Sequence, residues 1–278
     1  MPYEDYRTLK VRIDKKVAFV TIDHPPINLM TGRMMWELLN LSKAIAADDN
    51  VRVVVFESAD PDYFIAHFDL TALIRYPDLP PTKGTELHRL NKTCENFRRM
   101  PKVSIAKLEG RARGGGSEFV LGLDMRFGAI GRAVLSQPEV ALGILPGGGG
   151  TQRLSRLVGP ARALEALLGC RDFPAELAER YGWINRALPP EQITPFVEAL
   201  AFSIAAYPPE AVARCKTSVL NAAEMPLFDG LIEESYLFDQ LATRPEPKVC
   251  MKKLLDAGGQ TRENEMDFDR LMEKAQLA

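Results

Sequence analysis

Short apolar segments that alternate with amphipathic stretches constrain the fold of this chain most strongly. Residues 53–56 read VVVF and residues 103–106 read VSIA, and such runs are typical of strands buried on both faces of a sheet. The stretch between them has helical spacing, with apolar residues at Leu87, Leu90, Cys94 and Phe97. A strand, a helix and a second strand in this order imply right-handed crossovers. The pattern therefore predicts a largely parallel sheet in an α/β protein.

Two further patterns flank this alternation. Residues 11–13 and 17–22 are rich in β-branched side chains and are separated by the polar residues 14–16, which predicts a β-hairpin. Thr31 is a suitable N-cap for a helix with apolar positions at spacings of four, three and four residues. These positions are Met34, Leu38, Leu41 and Ile45. Residues 124–130 predict another buried strand.

The last third of the chain has a different pattern. From about residue 190 the sequence becomes nearly all helical in its periodicity. We therefore predict an α/β core over residues 1–198 and a helical region over residues 199–278.

Composition and charge exclude several classes of protein. The 35 basic and 37 acidic residues give a formal net charge of −2, which argues against a broad nucleic-acid surface. The four cysteines form no CxxC pair, and the three histidines have no metal-ligand spacing, so neither a disulfide framework nor a metal site is expected. The charged amino terminus and the short apolar runs predict neither a secretory signal nor a membrane span. We expect a cytoplasmic protein.

A run of glycines follows the strand at residues 103–106. Residues 114–116 are Gly-Gly-Gly, and Glu118 lies three residues after Gly115. Glycines allow the backbone to approach a ligand closely, and the first N–H groups of a helix starting there would be free to bind a negative oxygen. The alternative is that the glycines only allow close packing of a helix on a sheet, with Glu118 in solvent.

A second glycine run follows another acidic residue. Glu139 has few charged neighbours, and residues 147–150 are four glycines. No Gly-Lys-Ser/Thr follows, so this is not a P-loop, and a complete GxGxxG fingerprint is also missing. The glycines could bind an anion or simply begin a helix in a crowded place, and Glu139 could be a surface carboxylate beside a turn.

Taken together, these segments resemble a known family. Residues 64–70 (FIAHFDL), 110–119 (GRARGGGSEF) and 137–154 (QPEVALGILPGGGGTQRL) are similar to blocks of the crotonase superfamily, the enoyl-CoA hydratase/isomerase family. Residues 124–126 (DMR) and 181–186 (YGWINR) fit two further family segments. The resemblance implies a crotonase-like spiral ββα core with a C-terminal helical trimerisation region, and assembly as a homotrimer or homohexamer. It also implies an acyl-CoA thioester as substrate, with no separate cofactor.

The resemblance assigns roles to individual residues. The backbone N–H groups of Phe68 and Gly115 would form an oxyanion hole for the thioester oxygen. Glu118 and Glu139 would flank a water molecule, and the N–H of Gly147 would help to hold that water. We expect Glu118 to act as the base and Glu139 as the acid in hydration of a 2-enoyl-CoA. Substrate contacts would also involve Ala66, His67, Asp69 and Gly114.

Two residues depart from the family pattern. His67 replaces a usual glycine and Phe68 replaces a usual alanine, so a bulky side chain would narrow the acyl pocket. Residues 248–259 also lack the usual family block. These departures leave two alternatives to hydration: another crotonase reaction, such as enoyl-CoA isomerisation or thioester hydrolysis, or non-catalytic acyl-CoA binding.

Overall fold

The computed structural model describes residues 3–76, 78, 80 and 82–277. The chain divides into two compact units, Met1–Ala201 and Phe202–Ala278, and the boundary falls within one long helix, Pro190–Ala206. All the candidate site residues belong to the first unit.

A six-stranded, largely parallel sheet forms the centre of the first unit. Its order is β1-β2-β3-β5-β7-β10, with β1 and β2 antiparallel and every other neighbouring pair parallel. The strands are β1 (Leu9–Asp14), β2 (Val17–Ile22), β3 (Val53–Ser58), β5 (Val103–Leu108), β7 (Met125–Ala129) and β10 (Arg186–Leu188). The predicted hairpin, the predicted buried strands and the largely parallel sheet are therefore confirmed.

A second sheet of four short strands carries the loops that hold the candidate site. Its order is β4-β6-β8-β9, with β9 antiparallel to β8 and the other pairs parallel. These strands are β4 (Tyr63–Ile65), β6 (Arg111–Arg113), β8 (Val134–Ser136) and β9 (Phe173–Pro174). With the larger sheet they form an α/β fold with two mixed sheets. The resemblance predicted an α/β crotonase-like core, and this fold class is confirmed.

Helices connect the strands of both sheets. In the first unit they are α1 (Gly32–Ala47), α2 (Leu70–Ile74), α3 (Arg89–Arg99), α4 (Gly115–Leu121), α5 (Gly150–Val158), α6 (Pro160–Gly169), α7 (Ala175–Tyr181), and the beginning of α8 (Pro190–Ala206). The Thr31 side chain accepts a hydrogen bond from the N–H of Met34, so the predicted N-cap of α1 is confirmed. The prediction that Leu87 lies on the second helix is wrong, because α3 begins at Arg89 and Leu87 is 56% exposed.

Three edge-to-face phenylalanines join α3 and α4 to the central sheet. The rings of Phe56, Phe97 and Phe119 are fully buried, with centroids 5.1–6.1 Å apart. Beside them, Cys94 of α3 lies so close to Gly122 that a Cβ on this glycine would be 2.5 Å from the Cys94 Cβ. Burial raises the pKa of the Cys94 thiol to about 12. This close packing fixes the position of α4, the helix that carries Glu118.

The second unit is helical. It contains the end of α8, followed by α9 (Pro209–Asn221), α10 (Leu227–Ala242), α11 (Pro245–Asp256), α12 (Arg262–Glu265) and α13 (Phe268–Lys274). A small core of Ala257, Leu271 and Ala275 joins its last helices. Along the described chain, no helix combines the length and the apolar character needed to cross a membrane.

Candidate active site

Two backbone segments meet where β4 and β6 end. Met30 pairs with Phe68 as a parallel bridge, in which the His67 carbonyl and the Asp69 N–H bond to Met30. The His67 carbonyl and the Phe68 N–H belong to one peptide group, in which the C=O and the N–H point in opposite directions, so the N–H of Phe68 points away from Met30. A Cβ on Gly115 would lie 3.8 Å from the Phe68 nitrogen, so the two predicted oxyanion-hole residues are neighbours.

Gly114 provides the turn that begins α4. Its φ of 49° and ψ of −124° require a glycine, and its N–H donates to the Ser136 carbonyl of β8. The next residue, Gly115, is the first of the helix, where an N–H has no partner within the helix. This N–H is therefore available to a ligand and lies at the positive end of the helix dipole.

Glu118 is buried on α4 and is held by backbone donors. Its side chain is 4% exposed, and its Oε1 accepts hydrogen bonds from the N–H groups of Gly148 (2.7 Å) and Gly150 (2.9 Å). Burial raises the pKa of this carboxyl, while the two N–H donors and the Arg153 charge act in the opposite direction. These contacts favour the ionised carboxylate, but burial is the larger effect, and the pKa of Glu118 stays above its ordinary value.

Glu139 is the other buried carboxyl of the predicted site, and its contacts stabilise the ionised form less than those of Glu118 do. It is the first residue of a short 3-10 helix, Glu139–Leu142, and is 8% exposed. Burial raises its pKa to about 7, and the nearby Glu118 charge adds to the effect. The fully buried Gln137 amide lies between Glu139 and Ser117; with its NH2 towards Glu139, it donates to the carboxylate and accepts from the Ser117 hydroxyl.

Both carboxyls and both predicted oxyanion-hole residues line a single open cavity of about 430 Å³. Its remaining wall is mainly apolar and includes Leu73, Leu90 and Ile144. A smaller cavity of about 100 Å³ has Phe68, Gly115 and Glu139 in common with it, but lacks Glu118. Phe68, Gly115 and Glu139 therefore lie where the two cavities meet.

The other predicted site residues occupy different positions. Gly147 lines the larger cavity, whereas His67 and Gly114 line the smaller one. The ring Nδ1 of His67 is 2.8 Å from the Phe68 carbonyl oxygen.

Ala66 and Asp69 have local structural contacts and line neither cavity. Ala66 is buried, and its N–H donates to the Ile27 carbonyl. The Asp69 carboxylate caps α2 by accepting from the N–H and hydroxyl of Thr71, and these hydrogen bonds lower its pKa. The structure therefore brings Glu118, Glu139 and the oxyanion-hole residues together but does not place Asp69 among them.

Sequence reasoning missed part of the support around Glu118. It singled out the glycine run 147–150 but not the two donors within it, Gly148 and Gly150. It also missed Asn91 and Arg153, whose side chains contact this loop. The glycine run itself was the available signal for the donors. No cluster of three or more metal-ligating side chains occurs in the described part of the chain.

Comparisons with known proteins agree with this fold and show the family. The family model described as enoyl-CoA hydratase/isomerase matches residues 12–257, and the chain belongs to this family, the crotonase family. It is 30% identical over 243 residues to the short-chain-enoyl-CoA hydratase of Clostridium acetobutylicum, covering 87% of this chain and 92% of that protein.

Solved structures give the same result. An enoyl-CoA hydratase from Bacillus anthracis superposes with a TM-score of 0.82 at 26% identity, covering 90% of this chain and 96% of that one. A Streptomyces avermitilis structure is 38% identical, with a TM-score of 0.72, and covers 98% of this chain and 100% of that one. Membership of the family thus rests on sequence and on fold.

Proposed function

We propose that this protein is an enoyl-CoA hydratase that adds water across the double bond of a 2-enoyl-CoA thioester. One observation carries the proposal: two buried carboxyls, Glu118 and Glu139, line the same cavity as the paired oxyanion-hole residues Phe68 and Gly115. Hydration needs this set, because negative charge develops on the thioester oxygen while one proton leaves water and another reaches C2.

The different environments of the two carboxyls support different roles. Glu118, with two N–H donors on one oxygen, would take a proton from the water that attacks C3. Glu139, with a pKa near 7, would be partly protonated at neutral pH and would deliver the proton to C2. The N–H groups of Phe68 and Gly115 would stabilise the intermediate enolate, where losing one donor typically raises the barrier by about 3–4 kcal/mol.

The two cavities suggest how the thioester is oriented. A carbonyl at the Phe68 and Gly115 amides would lie where the cavities meet, with its two substituents in different cavities. The reacting double bond must be within reach of both carboxyls, and only the larger cavity is lined by both. We therefore assign the acyl chain to the larger cavity and the thioester sulfur to the smaller one. Phe68, at the junction, would narrow the entry to the acyl pocket.

We also propose that the protein is a homotrimer or a pair of trimers. Helix α10 exposes a row of large apolar side chains at helical spacing: Phe228, Leu231, Ile232 and Tyr236. Rows of this kind on a folded surface are typical of interaction sites. A second copy of the same chain is the partner expected from the family.

Crotonyl-CoA hydration tests the proposed function directly. We expect the enoyl absorbance to fall at neutral pH and the product to be heavier than the substrate by one water. Glu118→Gln and Glu139→Gln should each lower kcat by about a hundredfold or more while leaving the protein folded. Asp69→Asn is the matched control, because this carboxylate caps α2 and lines neither cavity. No loss of enoyl absorbance with folded protein would refute hydration of this substrate.

A second reaction class has one specific observation in its favour. His67, in place of the family glycine, lines the smaller cavity together with Glu139. A histidine there could serve isomerisation or thioester hydrolysis. Product masses separate these reactions, because isomerisation leaves the mass unchanged and hydrolysis releases free CoA. Tight binding of a CoA ester without turnover would instead support the non-catalytic alternative.

A further inference from the structure

One peptide group connects Glu118 to helix α3. The peptide between Gly147 and Gly148 donates its N–H to Glu118 Oε1 at 2.7 Å. The carbonyl of the same peptide accepts a hydrogen bond from Asn91 Nδ2 at 3.0 Å. Because a peptide is planar, a contact that fixes the direction of its carbonyl also fixes the direction of its N–H. Asn91 thus sets the orientation of a donor to Glu118.

Arg153 holds the next peptide in the same loop. Its Nη1 donates to the Gly148 carbonyl and to Asn91 Oδ1, both at 3.0 Å, and its Nη2 donates to Glu95 Oε1 at 2.9 Å. The Arg153 side chain is 17% exposed and its partner Glu95 is 25% exposed, so solvent only partly screens these contacts. One guanidinium therefore connects α5, α3 and the glycine loop.

Glycines are required for this loop to approach the carboxylate and the guanidinium. A Cβ on Gly148 would lie 2.7 Å from Glu118 Oε2, and one on Gly149 would overlap Arg153 Nη1. A loop without side chains has little stiffness of its own. Its shape must therefore be held by the groups that bind its carbonyls.

We propose that Asn91 and Arg153 are positioning residues for Glu118, acting through the carbonyls of Gly147 and Gly148 so that the N–H groups of Gly148 and Gly150 hold the carboxylate. Neither residue is expected to touch the substrate's reacting atoms. The catalytic part of this inference rests on the proposed role of Glu118 in hydration, whereas the positioning itself rests only on the contacts above.

Arg153 also has an electrostatic effect on Glu118. Its positive charge lowers the pKa of the Glu118 carboxyl and opposes the effect of burial. Among the described residues, the Cys94 thiol on α3 and the Glu139 carboxyl interact electrostatically with Glu118, and Glu95 faces Arg153. Tyr76, His88 and Arg89 line the same cavity as Glu118. Removing the guanidinium should therefore raise the pKa of Glu118, whereas removing only the Asn91 amide leaves that charge in place.

Three variants and a control distinguish the effect of loop orientation on Glu118 from the effect of the Arg153 charge. Asn91→Leu removes the amide at similar volume, and Arg153→Met removes both the charge and the donors. Arg153→Lys keeps the charge but cannot reproduce the planar fork of donors. Arg156→Met is the matched control, because Arg156 lies on the same helix and bonds only to Gln152 among its described partners.

We expect kcat for crotonyl-CoA to fall about 10- to 100-fold in Asn91→Leu and Arg153→Met, with KM changed less than about twofold. The acid limb of the kcat–pH profile should move to higher pH in Arg153→Met and stay in place in Arg153→Lys and Asn91→Leu. A folded Arg153→Met protein with wild-type kcat and an unmoved acid limb would overturn the inference. So would a rise in KM at constant kcat.

An infrared titration tests the positioning even if hydration is not the reaction. The Glu118 carboxyl band can be identified as the band missing from Glu118→Gln, and its midpoint can be followed with pH in the wild type and in Arg153→Met. We expect a higher midpoint in Arg153→Met and an unchanged midpoint in Arg156→Met. Equal midpoints in the wild type and Arg153→Met would overturn the inference whatever the reaction is, while an inactive wild type with the expected shift would refute only hydration.

Discussion

Burial of Glu139 links its protonation to the stability of the fold. The pKa of this carboxyl is about 7 in the folded protein, against an ordinary value of 4.5. The folded state therefore binds this proton more tightly than the unfolded state does. The stabilisation from this proton is fully present below about pH 4.5 and is lost as the pH rises through 7.

Glu139→Gln should therefore be more stable than the wild type at alkaline pH. The glutamine cannot ionise, so its burial carries no charge penalty, and the pKa difference corresponds to roughly 3 kcal/mol at most. We expect the free energy of unfolding in denaturant to favour the variant at pH 8 and to differ much less at pH 4.5. A variant that is less stable than the wild type at pH 8 would contradict this energetic account.

The same pKa sets an expectation for activity. If Glu139 delivers its proton in the reaction, kcat/KM should fall about tenfold per pH unit above roughly pH 7. The residual activity of Glu139→Gln should lack this basic limb, because the titrating group is gone. Measurement of kcat/KM from pH 5 to 9 in both proteins checks the assignment. A basic limb that persists in the variant would show that another group controls it.

At the scale of single residues, sequence motifs indicated the carboxyls and the oxyanion-hole amides but not their supports. Glu118 and Glu139 each stand beside a glycine run, which is a local signal. Asn91 and Arg153 are 62 residues apart and have no local motif that joins them. Their contact depends on how α3 and α5 pack, and the packing distance between helices cannot be read from spacing along the chain.

Among the secondary-structure elements, α4 packs against β4 without an intervening side chain on its own side. A Cβ on Gly116 would be 2.5 Å from the Ile65 carbonyl oxygen and 2.7 Å from the Ile65 Cβ, so backbone would have to move. The small residue lets α4 rest directly on β4, which leads into the loop that contains Phe68. The distance between the amides of Phe68 and Gly115, the proposed oxyanion-hole donors, thus depends on this contact.

Gly116→Ala should therefore destabilise the protein and reduce activity together. Overpacking of this kind typically costs about 1–3 kcal/mol and displaces the backbone. Gly32→Ala is the matched control, because a Cβ there has nothing within 4 Å and alanine favours a helix. Thermal unfolding and kcat in both variants test this. Wild-type stability in Gly116→Ala would show that β4 and α4 can separate without penalty.

Long elements were predictable and short ones were not. The hairpin strands, α1, β3, β5 and β7 each have five or more residues and a clear apolar pattern. Strands β4, β6, β8 and β9 have only two or three residues each, too few to display alternation. Leu87 continued the apolar pattern of α3 in sequence, although the helix begins two residues later. Periodicity does not indicate where a helix begins.

At the scale of the whole molecule, we expect the protein to sediment as three or six chains of 30.9 kDa each. The paired substitution Phe228→Asp with Ile232→Asp places charges in the exposed apolar row on α10, which should dissociate the assembly. Leu87→Asp is the control, since Leu87 is an exposed apolar residue that does not belong to α10. A wild-type protein that sediments as a monomer would contradict the expectation.

The fold class could be predicted before the structure because several motifs occur in a fixed order. The exposed apolar side chains of the second unit could not be predicted. Helical periodicity alone does not indicate which face of a helix packs against the rest of the protein. The pairing of the short strands in the second sheet also joins residues far apart in sequence, such as β4 with β6, and no local pattern indicates it.

Cys94, which packs against Gly122, can report on local opening of the structure around α3 and α4. A thiol that is enclosed and held in its protonated form reacts with alkylating reagents only after the helices around it separate. Once the other three cysteines are replaced by serine, the rate of alkylation would measure how often α3 and α4 part. Comparing that rate with and without a bound thioester would show how far a ligand in the cavity reduces the separation of these helices.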